Sequence, residues 1–108
     1  METPSYLSKA RAFFNEAELA AIVDKVARDP QCGDLLQGTG GFRKVRVARA
    51  GMGKRGGARV IYIYRNASFP VFLVTVFAKN EKQNLSKAER NALKERADEI
   101  FETYRSWK

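Results

Sequence analysis

Three runs of strand-type sequence stand in a row between residues 42 and 78, and they dictate most of what this chain can become. Residues 42–49 read FRKVRVAR. Side chains alternate along a strand, so Val45 and Val47 point to one face, with Arg43 and Arg49 at its ends, and Lys44 and Arg46 point to the other. Residues 58–65, ARVIYIYR, are rich in β-branched and aromatic types. Residues 71–78, VFLVTVFA, are apolar on both faces, as expected of a central strand. The connections, a glycine-rich turn over 50–57 and a turn over 66–70, are too short for helical crossovers, so the strands pair as antiparallel hairpins.

Helical signals flank these runs. Tyr6, Leu7, Ala10, Phe13 and Phe14 fall near helical spacing in residues 1–14. Asn15 followed by Glu18 forms a capping-box pattern, and Leu19, Ile22, Val23 and Val26 then draw an apolar stripe. Pro30 stops this helix, which is placed at 16–28. Residues 31–41 read as a loop anchored by Leu35 and Leu36. Ser86 and Glu89 repeat the capping-box pattern ahead of Leu93, Ala97, Ile100, Phe101, Tyr104 and Trp107, which recur at helical spacing. The expected fold is one α+β domain over residues 1–108. An antiparallel sheet of three or more strands packs against N-terminal helices and a C-terminal helix.

Charge is partitioned along the chain. Residues 35–80 contain no Asp or Glu but nine basic residues: Arg43, Lys44, Arg46, Arg49, Lys54, Arg55, Arg59, Arg65 and Lys79. The 12 acids divide equally between residues 1–34 and 81–108, so the three segments carry net charges of −2, +9 and +1. A sheet bearing cations without acids of its own suits a polyanion. Nucleic acid is the leading partner; an acidic protein or an anionic membrane surface would also fit the balance. No apolar run approaches the roughly 20 residues that cross a bilayer. The N-terminus lacks a secretory pattern, so the cytoplasm is the expected compartment.

Several chemistries are excluded by what the chain lacks. With no histidine, paired-histidine ribonuclease chemistry and every histidine triad are ruled out. The acid-free sheet segment lacks the carboxylates of a two-metal nuclease, so no metal is expected. The single cysteine, Cys32, forms no internal disulfide and has no histidine to activate it. Gly51, Gly53 and Gly56 match GxGxxG, but strands flank them where the dinucleotide fingerprint requires a strand and then a helix. No cofactor is expected. That loop is either a plain hairpin turn or a mobile loop gripping phosphates through Lys54 and Arg55. Lys44 and Arg46 are either a solvated sheet face or a cation cluster shared with Arg43, Arg49 and Arg59. Tyr62 and Tyr64 share one strand face, for core packing or for stacking on a base; Phe42 and Phe77 have the same two readings, with packing favoured. A nuclease built from Lys, Arg and Tyr can cut RNA, whose 2′-hydroxyl supplies the nucleophile.

Three segments carry a resemblance. They are GTGGFRKVR from Gly38 to Arg46, GKRGGARVIY from Gly53 to Tyr62, and FAKNE from Phe77 to Glu81. In this order they resemble the HigB branch of the RelE/ParE toxin superfamily over roughly residues 33–90. The resemblance implies a ribosome-dependent mRNA endonuclease, the toxin of a type II toxin–antitoxin pair. Its partner would be a cognate antitoxin with a helix-turn-helix DNA-binding domain. It assigns catalytic roles to Lys44, Arg46, Arg59 and Lys79. RNA contacts would fall to Arg43, Arg49, Lys54, Arg55, Tyr62 and Tyr64. Where RelE-like members often carry a further arginine and a catalytic tyrosine, this chain has Asn80 and, approximately, Ser86. That leaves Lys44 or Lys79 as the base, with Arg46 and Arg59 stabilising the charge on the pentavalent phosphate. The rival expectations are a ParE-like poison of DNA gyrase and a plain RNA- or ribosome-binding module.

Overall fold

The computed structural model describes residues 1–49, 53–78 and 86–107. Helix α1 spans Pro4–Ala10 and α2 Glu16–Arg28. Strands β1 (Asp34–Leu35), β2 (Phe42–Arg49), β3 (Gly53–Ile63) and β4 (Phe72–Ala78) follow, and α3 (Lys87–Trp107) ends the chain. The strands form one antiparallel sheet in the order β1-β2-β3-β4. This is the expected α+β layering.

Local chemistry fixes the helix starts. The Thr3 hydroxyl accepts from the Tyr6 N–H at 3.2 Å, and Pro4 supplies a preset φ in the first turn of α1. At α2 the capping box closes in both directions, Glu18 N–H to Asn15 at 2.8 Å and Asn15 N–H to Glu18 at 2.9 Å. Ser86 and Glu89 exchange the same two bonds at 3.1 and 3.0 Å before α3.

The sheet separates two cores. Tyr6, Ala10, Leu19, Ile22 and Val26 of α1 and α2 bury Val45, Ala58, Val60, Tyr62, Leu73 and Val76 on one face. On the other face Ala97 and Phe101 of α3 pack with Phe42, Ile61, Ile63, Phe72 and Val74. The Phe101 ring meets Phe69 edge-on at 4.7 Å and Phe72 at 5.8 Å, and the Arg65 guanidinium lies 4.0 Å from its centroid. The Trp107 side chain lies outside the described residues.

Three expectations need correction. Strand β3 begins at Gly53, so the glycine-rich residues 53–57 belong to the hairpin's second arm. Arg49 pairs with Gly53, past a register irregularity between Val47 and Arg49. Glycine offers no side chain to oppose that pairing. The loop over 31–41 contains a strand, β1, too short to show any periodicity. Leu35 in it is 45% exposed and anchors nothing, whereas Leu36 packs on the α3 side.

A polar knot holds β1 in place. The fully buried Tyr62 hydroxyl donates to the Pro30 carbonyl at 2.8 Å and accepts from the Gly33 N–H at 2.9 Å. Arg43 donates to the Gly33 carbonyl at 2.8 Å. A Cβ on Gly33 would lie 2.9 Å from both the Lys44 carbonyl and the Tyr62 hydroxyl, so only glycine fits. Tyr62→Phe leaves the Gly33 N–H and the Pro30 carbonyl without this partner. It should lower unfolding free energy by about 1–3 kcal/mol in denaturant titrations.

Burial also pushes the phenols of Tyr6 and Tyr62 up to about 12, from an ordinary 10.0. In the unfolded chain both lose their protons first as pH rises. Their contribution is therefore constant below about pH 10 and is lost as pH climbs towards about 12. Thermal melts taken upward from neutral pH should hold their midpoint to about pH 10 and then fall. Tyr62→Phe should flatten that fall.

Candidate nucleic-acid interface

Strand alternation and register decide which cations meet. Directly opposed residues on neighbouring strands share a face. Phe42 lies in the α3-side core, so Lys44 and Arg46 two and four residues on share that face. Arg46 pairs with Arg59, and Arg59 with Phe77. Arg46, Arg59 and Phe77 thus form one row across β2, β3 and β4. Lys44 sits in the next row, opposite Ile61, which in turn pairs with Thr75. The α3 core covers the other end of this face, where β2 starts and β3 ends. In the row Arg46 is exposed, while Arg59 and Phe77 are half-buried, as is Lys44 beside it.

Arg59 is the most constrained of these groups. Its Nη1 is buried and has no hydrogen-bond partner among the described residues. Burial first, and then the neighbouring Arg46 charge, pushes its pKa below the usual guanidinium range. The ion pairs found elsewhere are Arg28–Asp24, Arg65–Asp98 and Arg105–Glu102. Among the described residues none involves Lys44, Arg46 or Arg59. Buried guanidinium N–H groups are ordinarily paired. Arg46 and Arg59, adjacent and without an ion-pair partner among the described residues, make a candidate anion site.

Three of the expected RNA contacts lie elsewhere. Arg43 opposes Tyr62 on the α1/α2 face, and its guanidinium is turned to backbone carbonyls of the loop before β1. Tyr62 is fully buried there with its hydroxyl committed, so it offers no ring to a base. Tyr64, two residues on, packs against the same core. The reason is alternation: in β3 the even positions oppose the face that carries Arg59. The side chains of Arg49, Lys54 and Arg55, and all of Lys79, Asn80 and the rest of 79–85, lie outside the described residues.

The sheet also contains one carboxylate. Asp34 of β1 pairs with Lys44, so the sheet is acid-free only from β2 to β4. Sequence reading missed Asp34 at this position, and it named Phe77 for packing or stacking without placing it in the cation row. Strand pairing is the signal that finds them. Among the described residues no cluster of three or more Cys, Asp or Glu could hold a metal ion. No helix of the described residues is long and apolar enough to cross a membrane.

A family model described as the RelE toxin of the RelE/RelB toxin–antitoxin system matches residues 7–106. The chain belongs to the RelE toxin family. The match runs from within α1 to the last turn of α3 and so takes in the whole sheet. A RelE toxin is one member of a toxin–antitoxin pair, and a cognate antitoxin is its partner. In this RelE toxin the half of the sheet face beyond the α3 core carries Lys44, Arg46 and Arg59.

Proposed function

We propose that this RelE toxin is a HigB-like endoribonuclease that cuts mRNA on the ribosome without a metal ion, and so arrests translation. The observation that carries this reading is Arg59, a part-buried guanidinium whose Nη1 has no hydrogen-bond partner among the described residues, beside the exposed Arg46. Both arginines suit the two-pronged grip on phosphate oxygens. In the proposed reaction the 2′-oxygen bonds to the adjacent phosphorus and gives its proton to Lys44 or Lys79. The bond to the 5′-oxygen breaks, and that oxygen takes up a proton from solvent water as it leaves. The products are a 2′,3′-cyclic phosphate and a 5′-hydroxyl. Arg46 and Arg59 balance the charge that builds on the phosphate in between. The order of the three motif segments and the absence of histidine support a histidine-free nuclease of the HigB type.

The test is inducible expression with mapping of cellular RNA 5′ ends. New 5′-hydroxyl ends inside translated frames are the expected result. Growth arrest without such ends would overturn the nuclease reading and favour a gyrase-directed or purely binding toxin. In vitro, single-stranded RNA should bind with a log–log salt slope near −3 if about half of the nine cations in residues 35–80 meet phosphates. A slope near zero would remove the cation band from the binding surface. An antitoxin with acidic segments and a helix-turn-helix domain is the proposed partner, and the cytoplasm the proposed compartment.

A further inference from the structure

We infer that Phe77 is the platform on which a nucleobase stacks, beside the arginine pair that takes the RNA phosphate. This rests on the RNA-directed reading above and gives that site a base-binding half.

Register places the ring there. Phe77 opposes Arg59, which opposes Arg46, so all three project from the same sheet face in one row. Neighbouring strands lie about 4.8 Å apart, which puts the Phe77 Cα about 5 Å from that of Arg59 and about 10 Å from that of Arg46. The other described aromatic rings of the sheet are committed elsewhere. Phe42 and Phe72 are buried in the α3-side core, with 0% and 6% exposure. Tyr62 is buried on the opposite face, where Tyr64 packs as well. Phe77 is half-buried, packed against the edge of the α3-side core. A part-exposed ring held against a core is ready to stack without first being ordered.

The chemistry of the row selects the occupant. A flat apolar ring next to two guanidinium groups that have no ion-pair partner among the described residues suits a ligand with an aromatic face and an anion one linkage away. A nucleotide of single-stranded RNA has both. An acidic peptide supplies the charge but no flat face. Because every base has a π-face, a single phenylalanine would hold the base without choosing among the four. Phe77 therefore sets the position of the strand at the arginine pair and leaves base preference to other contacts.

The test uses the full chain and a short single-stranded RNA carrying 2-aminopurine, whose fluorescence is quenched on stacking. Wild type should bind with steep salt dependence and quench the probe. Phe77→Leu keeps an apolar side chain against the core but removes the ring. It should lose the quench and bind on the order of 10–100-fold more weakly, with the salt slope and the melting temperature nearly unchanged. Phe77→Trp should retain quench and affinity. Phe77→Leu that quenches and binds like wild type overturns the proposal. So does wild type that binds with a steep salt slope but never quenches, and in that case the RNA-directed reading survives. Wild type that shows no salt-dependent binding overturns both.

Discussion

Arg59→Lys should keep most RNA affinity and lose cleavage by on the order of 10²–10³ in rate. That is the range for removing one donor aimed at a developing oxyanion. The substitution preserves charge but replaces a planar fork of donors with a point charge on a flexible stem. In this fold the fork is held in place because Arg59 sits in mid-sheet, flanked by Arg46 on β2 and Phe77 on β4. The measurement is single-turnover cleavage of a ribosome-bound message at saturating protein. Equal rates for wild type, Arg59→Lys and Arg59→Ala would remove Arg59 from the catalytic set. A second readout separates a working group from a structural one. The buried Nη1, without a hydrogen-bond partner among the described residues, is a liability to the free protein. An unsatisfied buried donor costs about 1–3 kcal/mol. Arg59→Met, which retains much of the stem, should therefore raise the melting temperature while abolishing cleavage. A structural arginine would show the opposite sign in stability.

Phe101→Ala should lower unfolding free energy by about 3–5 kcal/mol, the range for deleting a buried aromatic ring. Phe101 is 1% exposed and gathers Phe69, Phe72 and the Arg65 guanidinium around one ring. Ala97 is the other fully buried residue that α3 contributes to this core, and it is too small to hold the helix alone. Against a total of about 5–15 kcal/mol for a domain, such a loss leaves little reserve. Urea titration monitored by far-ultraviolet circular dichroism checks it. Phe101→Leu should cost less because it fills part of the space. If Phe101→Ala lies within about 1 kcal/mol of wild type, α3 is held by something other than this ring.

Local signals in the sequence located most of the fold. The Asn15 and Ser86 capping boxes mark their helices because each is closed by side chains three residues apart. The alternation in β2 placed Lys44 and Arg46 together because one face of that strand must be buried. What stayed hidden depends on partners distant in sequence. Strand β1 exists because Tyr62, Gly33 and Arg43 knot it to β2, contacts that span 10 to 32 residues. The row of Arg46, Arg59 and Phe77 needs the registers of two hairpins, and no single strand states them. For Tyr62 and Tyr64 spacing alone is enough. Both stand at odd spacing from Arg59 on one strand, so alternation alone assigns them to the other face.

The division of the sheet into alternate positions bears on how such a toxin can change. Over residues 44–47 of β2 and 58–60 of β3, residues of the α1/α2 core alternate with those of the cation face. Positions 44, 46, 59, 75 and 77 can therefore be varied together while the α1/α2 core on the other face keeps its own residues. A library randomised at these five positions should yield mostly folded proteins. Among them, substrate preference could drift quickly, because a new RNA contact there asks little of the scaffold beneath it.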